Sequence, residues 1–217
     1  MRTLKVTGDA ELSLPPDQIT VNMTLNGWDK SYEKTVSISN EHTSIIKDSI
    51  EACGFNKKDL RSTSYHINPK YEYYQDNKGT SKNKLIGYEF NHSLSLSFDL
   101  DKEKLYQLLD IVSRLEINPS ISFNFSIKDL AEAKNSLLRK AVEDSTRKAE
   151  VIANAASLHL GEIQNINYSW DNSHTPIVYY DMHSPRNMLK SASKESLDID
   201  PENIKISDRI NVEWEIN

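Results

Sequence analysis

Four windows of the chain alternate apolar and polar positions without a break: residues 18–25 (QITVNMTL), 93–100 (SLSLSFDL), 120–127 (SISFNFSI) and 211–216 (NVEWEI). A period of two marks a strand with one buried face and favours an antiparallel sheet over a parallel one buried on both sides. Weaker alternation predicts strands at 3–8, 11–14, 61–74, 85–92, 163–169 and 204–207. Three other stretches carry a helical period. In 31–53, Val36, Thr43, Ile46, Ile50 and Cys53 form one stripe, and Gly54 is placed to end the helix in a left-handed cap. In 101–116 the stripe is Leu105, Leu108, Leu109, Val112 and Leu115, with Asp101 as N-cap.

The third helix spans about residues 129–159, opening at the capping pattern Ser126-Ile127-Lys128-Asp129, with Gly161 beyond its end. Its stripe is Leu130, Ala133, Leu137, Ala141, Ser145, Ala149, Ile152 and Ala156. At 1.5 Å per residue it is roughly 45 Å long, and its small residues let it lie close to whatever it packs on. Strands in pairs between helices predict an α+β fold: a mostly antiparallel sheet, helices on one face, one of them long and in the C-terminal half. Residues 1–217 read as a single domain. The polar tip 75–83 joins two strands as a long hairpin, and 171–203, rich in Ser, Asp, Asn and Pro, reads as a polar surface loop.

The outward positions of the cleanest strands are nearly all neutral: Gln18, Thr20, Asn22, Thr24; Ser93, Ser95, Ser97, Asp99; Ser120, Ser122, Asn124, Ser126. Such a face can be covered by another subunit without stranding a charge. The 217 residues are only 37% apolar, which points to a thin core, though a chain this long can bury about 70% of its surface on folding. A net charge of −6 argues against bulk binding to nucleic acid. Mean hydropathy is −0.61, and no run approaches the 18 apolar residues of a membrane helix. With one cysteine, Cys53, there is no internal disulfide and no CxxC metal knuckle. Strand-like residues follow Met1 at once, so no export signal is in view and the chain reads as cytoplasmic; the alternative is the periplasm or cell envelope, had an export segment been removed.

Catalytic signatures are missing from the pattern. There is no GxGxxG, no Walker-type loop and no GxSxG elbow, and the six histidines form neither HExxH nor HxH. His174, Asp181 and His183 fall close together but in the polar loop, a poor scaffold for a metal. His159 suits the end of the long helix, and Cys53 a buried, inert position. The carboxylate pairs Asp198/Asp200 and Glu213/Glu215 lie on solvated strand or loop faces. Catalytic, cofactor and metal residues are therefore all read as none. Tyrosine is locally enriched instead, at Tyr65, Tyr71, Tyr73, Tyr74 and Tyr88, with Pro69 marking an edge strand. Tyr71, Tyr73, Tyr74 and Tyr88 form the candidate interaction surface, because tyrosine offers large contact area with a polar tip.

The order of segments resembles the SIMPL-domain family of bacterial proteins. The resemblance rests on Val6-Thr7-Gly8-Asp9-Ala10-Glu11 followed by Pro16-Asp17-Gln18-Ile19-Thr20-Val21, on Gly54 with Asp59-Leu60-Arg61-Ser62-Thr63, on Pro69-Lys70-Tyr71-Glu72-Tyr73 and Ile86-Gly87-Tyr88, and on the alanine-spaced helix ending near Leu160-Gly161. Ala10, Ser145 and Ser157 stand where the family often has Gly, Ala and Gly. The resemblance implies no catalytic residues, a loose tie to the cell envelope and stress, and assembly into ring- or channel-like homo-oligomers. The expectation is a non-enzymatic, self-assembling protein; the alternative is a small-molecule or peptide binding module built from the 65–88 hairpin and the 171–203 loop.

Overall fold

The clean alternation passes into strands in which Ile19–Leu25, Leu94, Leu96 and Ile121–Phe125 bury their apolar positions. Asn124 and Ser126, expected to face outward, are buried as well, and in the weaker window Ile163 and Ile166 are exposed. In chain order the elements are β1 (Arg2–Leu14), β2 (Gln18–Asp29), α1 (Tyr32–Ala52), a short 3-10 turn (Lys57–Asp59), β3 (Arg61–Gln75), β4 (Ser81–Asp99), α2 (Lys102–Ser113), β5 (Ser120–Ser126), α3 (Leu130–Ala155), β6 (Leu160–Asn167), β7 (Val178–Met182) and β8 (Ile204–Ile216). This computed structural model describes residues 2–75, 81–168, 178–182 (backbone only) and 199–217. The fold is α+β, with antiparallel pairing of β1 with β8, β6 with β8, β2 with β4 and β3 with β4.

The chain packs as two compact units: Met1–Asp17, Ser126–Val178 and Pro201–Asn217 form one, Gln18–Phe125 and Tyr179–Asp200 the other. The second contains a five-stranded sheet of order β3-β4-β2-β5-β7. Ile19, Val21, Met23 and Leu25 of β2, Phe90, Leu94 and Leu96 of β4, and Ile121, Phe123 and Phe125 of β5 form its core with Ile46 and Ile50 of α1 and Leu105, Leu108, Leu109 and Val112 of α2. Asp101 caps α2, accepting from the Lys104 N–H. At the end of α1, Gly54 takes φ 82°, and the N–H groups of Gly54 and Phe55 return to the carbonyls of Glu51 and Ile50. This is a Schellman cap, as the glycine's position predicts.

The first unit is a three-stranded sheet, β1-β8-β6, with its own core of Val6, Ala10, Ile204, Ile206, Ile210, Val212 and Trp214 against Leu137, Ala141 and Ala149 of α3. β1 and β8 are each continuous where the pattern predicts two short strands. In β8 the period is broken by Asp208, which falls on the apolar parity and accepts a hydrogen bond from the Tyr168 hydroxyl at 3.0 Å. The buried stripe of α3 runs strictly every fourth residue: Leu137, Ala141, Ser145, Ala149, Ala153. Ile152, expected inside, is therefore outside. The helix also stops earlier than expected, at Ala155, through a cap in which Ser157 adopts φ 58° and the Ser157 and Leu158 N–H groups reach the carbonyls of Asn154 and Ala153. Gly161 lies in β6 instead.

Gly8 explains how α3 can sit on β1. A Cβ there would fall 2.0 Å from the Ala141 carbonyl oxygen and 2.8 Å from Ser145 Cβ. Glycine on the strand and alanine and serine on the helix bring two backbones into contact.

Candidate functional site

The tyrosines sit on a ribbon in the five-stranded unit. β3 is an edge strand, consistent with Pro69, and its outer half pairs only with β4: Tyr71 opposite Leu85, Tyr73 opposite Asn83, Tyr74 opposite Lys82. Tyr71, Tyr73, Tyr74 and Leu85 are all exposed, Tyr73 by 78%. Tyr71 and Tyr73 share one face and Tyr74 points to the other, so the ribbon displays tyrosine on both sides. Tyr88 stands apart from these three. It is half-buried at the root of the ribbon, its ring edge-on to Tyr32 of α1 at 5.5 Å. Beside the root, the Lys70 ammonium lies 5.5 Å from the Trp28 ring centroid and pairs with Glu89 at 2.8 Å.

The neutral strand face forms a ladder. Gln18, Thr20, Asn22 and Thr24 stand directly opposite Asp99, Ser97, Ser95 and Ser93. The Thr20 and Ser97 hydroxyls bond at 2.9 Å. This carpet lies on the side of β2 and β4 away from the Ile19–Leu25 apolar set, hence away from α1 and α2.

A histidine relay that the periodicities gave no sign of lies on the helix side of the same sheet. Thr43 of α1 donates its hydroxyl to the Ser39 carbonyl at 2.8 Å, which leaves its oxygen to accept from His92 Nδ1–H at 3.1 Å. Nε2 then accepts from the Ser62 hydroxyl at 2.8 Å. A serine bonded to an imidazole is half of a nucleophile–base pair. Here, however, the partner on Nδ1 is a hydroxyl and not a carboxylate, and burial, helped by the Lys47 charge, lowers the pKa of His92. The trio fastens α1 to β3 and β4. His42, one residue before Thr43, is also held to a lowered pKa by burial, with its ring edge-on to Phe90 at 5.7 Å.

The three-stranded unit carries an ionic cluster along β1. Asp144 accepts the Asp9 N–H at 3.0 Å and pairs with Lys148 at 2.6 Å and Arg147 at 2.6 Å. Lys148 also donates to the Thr7 carbonyl and to Asp9, each at 3.1 Å, and Arg209 reaches Asp9 at 2.9 Å. The Lys148 ammonium, the Asp9 N–H and Arg147 together bring the Asp144 carboxyl down to about 2. Next to this cluster a groove of about 430 Å³ is lined by Lys5–Thr7 of β1 and by Arg147, Lys148, Val151 and Ile152 of α3. Sequence reasoning missed it. The adjacent pair Val151-Ile152 was the available signal, since one helical stripe cannot bury both.

Cys53 is buried, and burial raises its pKa, as suits an inert thiol. His159 exchanges backbone hydrogen bonds with Asn217 at 2.8 and 3.1 Å. His174, His183, the side chain of Asp181, the tip at 76–80 and residues 169–177 and 183–198 lie outside the described residues. Within the stretch 171–203 expected to be loop, Val178–Met182 instead forms β7 of the five-stranded sheet. Among the described residues no group of three or more His, Cys, Asp or Glu side chains converges, and no helix is long and apolar enough to cross a membrane.

An α+β chain with a tyrosine ribbon and a closely packed Gly8–α3 crossing has relatives. The sequence profile of SIMPL, described as a protein of unknown function (DUF541), matches residues 4–214, and the chain belongs to that family. The 26 kDa periplasmic immunogenic protein of Brucella melitensis is 24% identical over 163 residues, which is 75% of this chain and 65% of that protein. The protein of the same name from Brucella abortus matches equally, 24% over 163 residues. The uncharacterized protein YggE of Escherichia coli K12 is 23% identical over 166 residues, 76% of this chain and 65% of that one. The chain thus spans 65% of the length of these curated relatives.

Proposed function

We propose that this SIMPL protein is non-enzymatic and works by self-assembly in the bacterial periplasm or cell envelope, as a ring- or channel-like homo-oligomer joined through the tyrosine ribbon and the neutral sheet face. Residues 1–217 then act as one SIMPL-type domain built of two units. The observation that carries this reading is the ribbon itself. A two-stranded ribbon exposed on both faces is marginal in water on its own, and tyrosines on both sides supply what a neighbouring copy would cover. The ladder adds a second surface, its side chains neutral but for Asp99. Support for the compartment comes from the names of the two Brucella relatives; the cytoplasmic expectation finds no counterpart in them.

Light scattering coupled to size exclusion at micromolar concentration tests the reading. The expected result is one discrete species several times heavier than the 24.8 kDa chain. A strict monomer would overturn it.

A further inference from the structure

The groove between β1 and α3 has the shape of a strand-addition site. β1 lies at the end of its sheet, with β8 on one side. On its other side the Thr7 carbonyl is taken by Lys148 and the Asp9 N–H by Asp144. Residues two apart in an extended strand direct their backbone groups to the same side, so Thr3 and Lys5 present N–H and C=O to this same open edge. The helix side chains thus close the edge at residues 7–9 and, among the described residues, leave it open at 3–5. Val151 and Ile152 form the opposite wall and are 63% and 46% exposed, although both are aliphatic. A helix running beside a free strand edge is a recurrent setting for an added peptide strand, in which backbone bonds give affinity and apolar pockets give selectivity.

The charges select the occupant. The ionisable groups lining the groove are Lys5, Arg147 and Lys148. Each has a carboxylate neighbour, Glu213 for Lys5 and Asp144 for the other two, but Lys5 and Arg147 are exposed enough to meet a further acidic side chain. The side chains of Lys5 and Arg147 are 77% and 75% exposed. A second copy adding its own β1 antiparallel about this point would set lysine against lysine, which disfavours that pairing. On the occupied side of β1, the molecule already displays the complementary chemistry: β8 alternates Val212, Glu213, Trp214, Glu215, Ile216, with Glu213 opposite Lys5 and 3.5 Å from its ammonium. We propose that the open edge of β1 at Thr3–Thr7, with the Val151/Ile152 wall, binds an extended segment of a partner protein in which acidic and apolar residues alternate. This surface lies in the other unit from the tyrosine ribbon, so the inference does not rest on self-assembly through that ribbon.

The test uses the full chain and a labelled peptide INVEWEIN, the sequence of residues 210–217, read by fluorescence anisotropy. Expected are saturable binding that weakens with added salt, at least about a tenfold loss when both peptide glutamates are replaced by lysine, and a similar loss in Val151→Glu. Val151 is mostly exposed, so that variant should melt like the parent; Arg147→Glu, also at the surface, serves as the second variant and should likewise weaken binding. Amide exchange at Lys5 should slow when the peptide is bound. Absence of saturable binding overturns the proposal. So does binding indifferent to Val151→Glu and Arg147→Glu, which is what displacement of β8 would give. A change of molecular mass in these variants without any peptide affinity would make a second copy the occupant and equally overturn it.

Discussion

Ser157 closes α3 in a conformation where a side chain is a liability. At φ 58° its Cβ crowds the backbone, while the cap bonds it completes need only the N–H groups of residues 157 and 158. Ser157→Gly should therefore stabilise the chain by roughly 0.5–1 kcal/mol, read as a higher urea midpoint with unchanged slope. His92 predicts a pH response. Its folded pKa lies below the ordinary histidine value, so the unfolded chain binds the proton more readily, and the stability this group contributes is full above about pH 6.5 and lost as pH falls toward the folded pKa. His42 acts in the same sense. Melting temperature should accordingly decline from pH 7 to pH 5, and His92→Gln should make that decline shallower. Asp144, held at about 2, keeps its charge throughout this range, so the ionic cluster on β1 does not contribute to the slope.

Among the elements, the crossing of α3 over β1 is the tightest joint. Gly8→Ala drives a methyl group into the Ala141 carbonyl, backbone that cannot swing aside, and should cost roughly 1–3 kcal/mol, at the upper end because the helix must lift as a body. Chemical unfolding measures it directly. Much of the element level was legible beforehand: the windows 18–25, 93–100, 120–127 and 211–216 fall on β2, β4, β5 and β8 to within a residue, because their alternate apolar positions are those that enter the cores, although β5 also buries Asn124 and Ser126 on its other face. Asp101 and Gly54 mark helix ends through local bonds that any chain with those residues would form. Partner choice was not legible. Arg2 meets Ile216 and Leu14 meets Ile204 across the whole sequence, and nothing periodic in either strand names the other. For the same reason the tyrosine ribbon was readable, being local, whereas the β1–α3 groove, made where residues 5–7 meet 147–152, and the Ser62–His92–Thr43 relay were not.

For the molecule as a whole, the proposed assembly rests on the ribbon. Tyr71→Ser with Tyr73→Ser removes exposed rings from the outer half of the hairpin, so the melting temperature of the isolated chain should hold while the mass seen by light scattering falls toward that of one chain. Tyr88→Ser, by contrast, loses the Tyr32 contact and should lower the melting temperature. The β1–β8 pairing bears also on how the protein is made. Synthesis delivers β1 long before β8, so the segment before Gln18 must wait until residues 204–216 have been made before its strand partner exists. The β2–β5 core, whose strands and helices come from one uninterrupted stretch, is free to form meanwhile. A chain cut short before residue 204 would keep that core but leave β1 without its strand neighbour, and Val6 and Ala10 without Ile204, Ile206, Ile210, Val212 and Trp214, the kind of surface that chaperones hold and proteases clear.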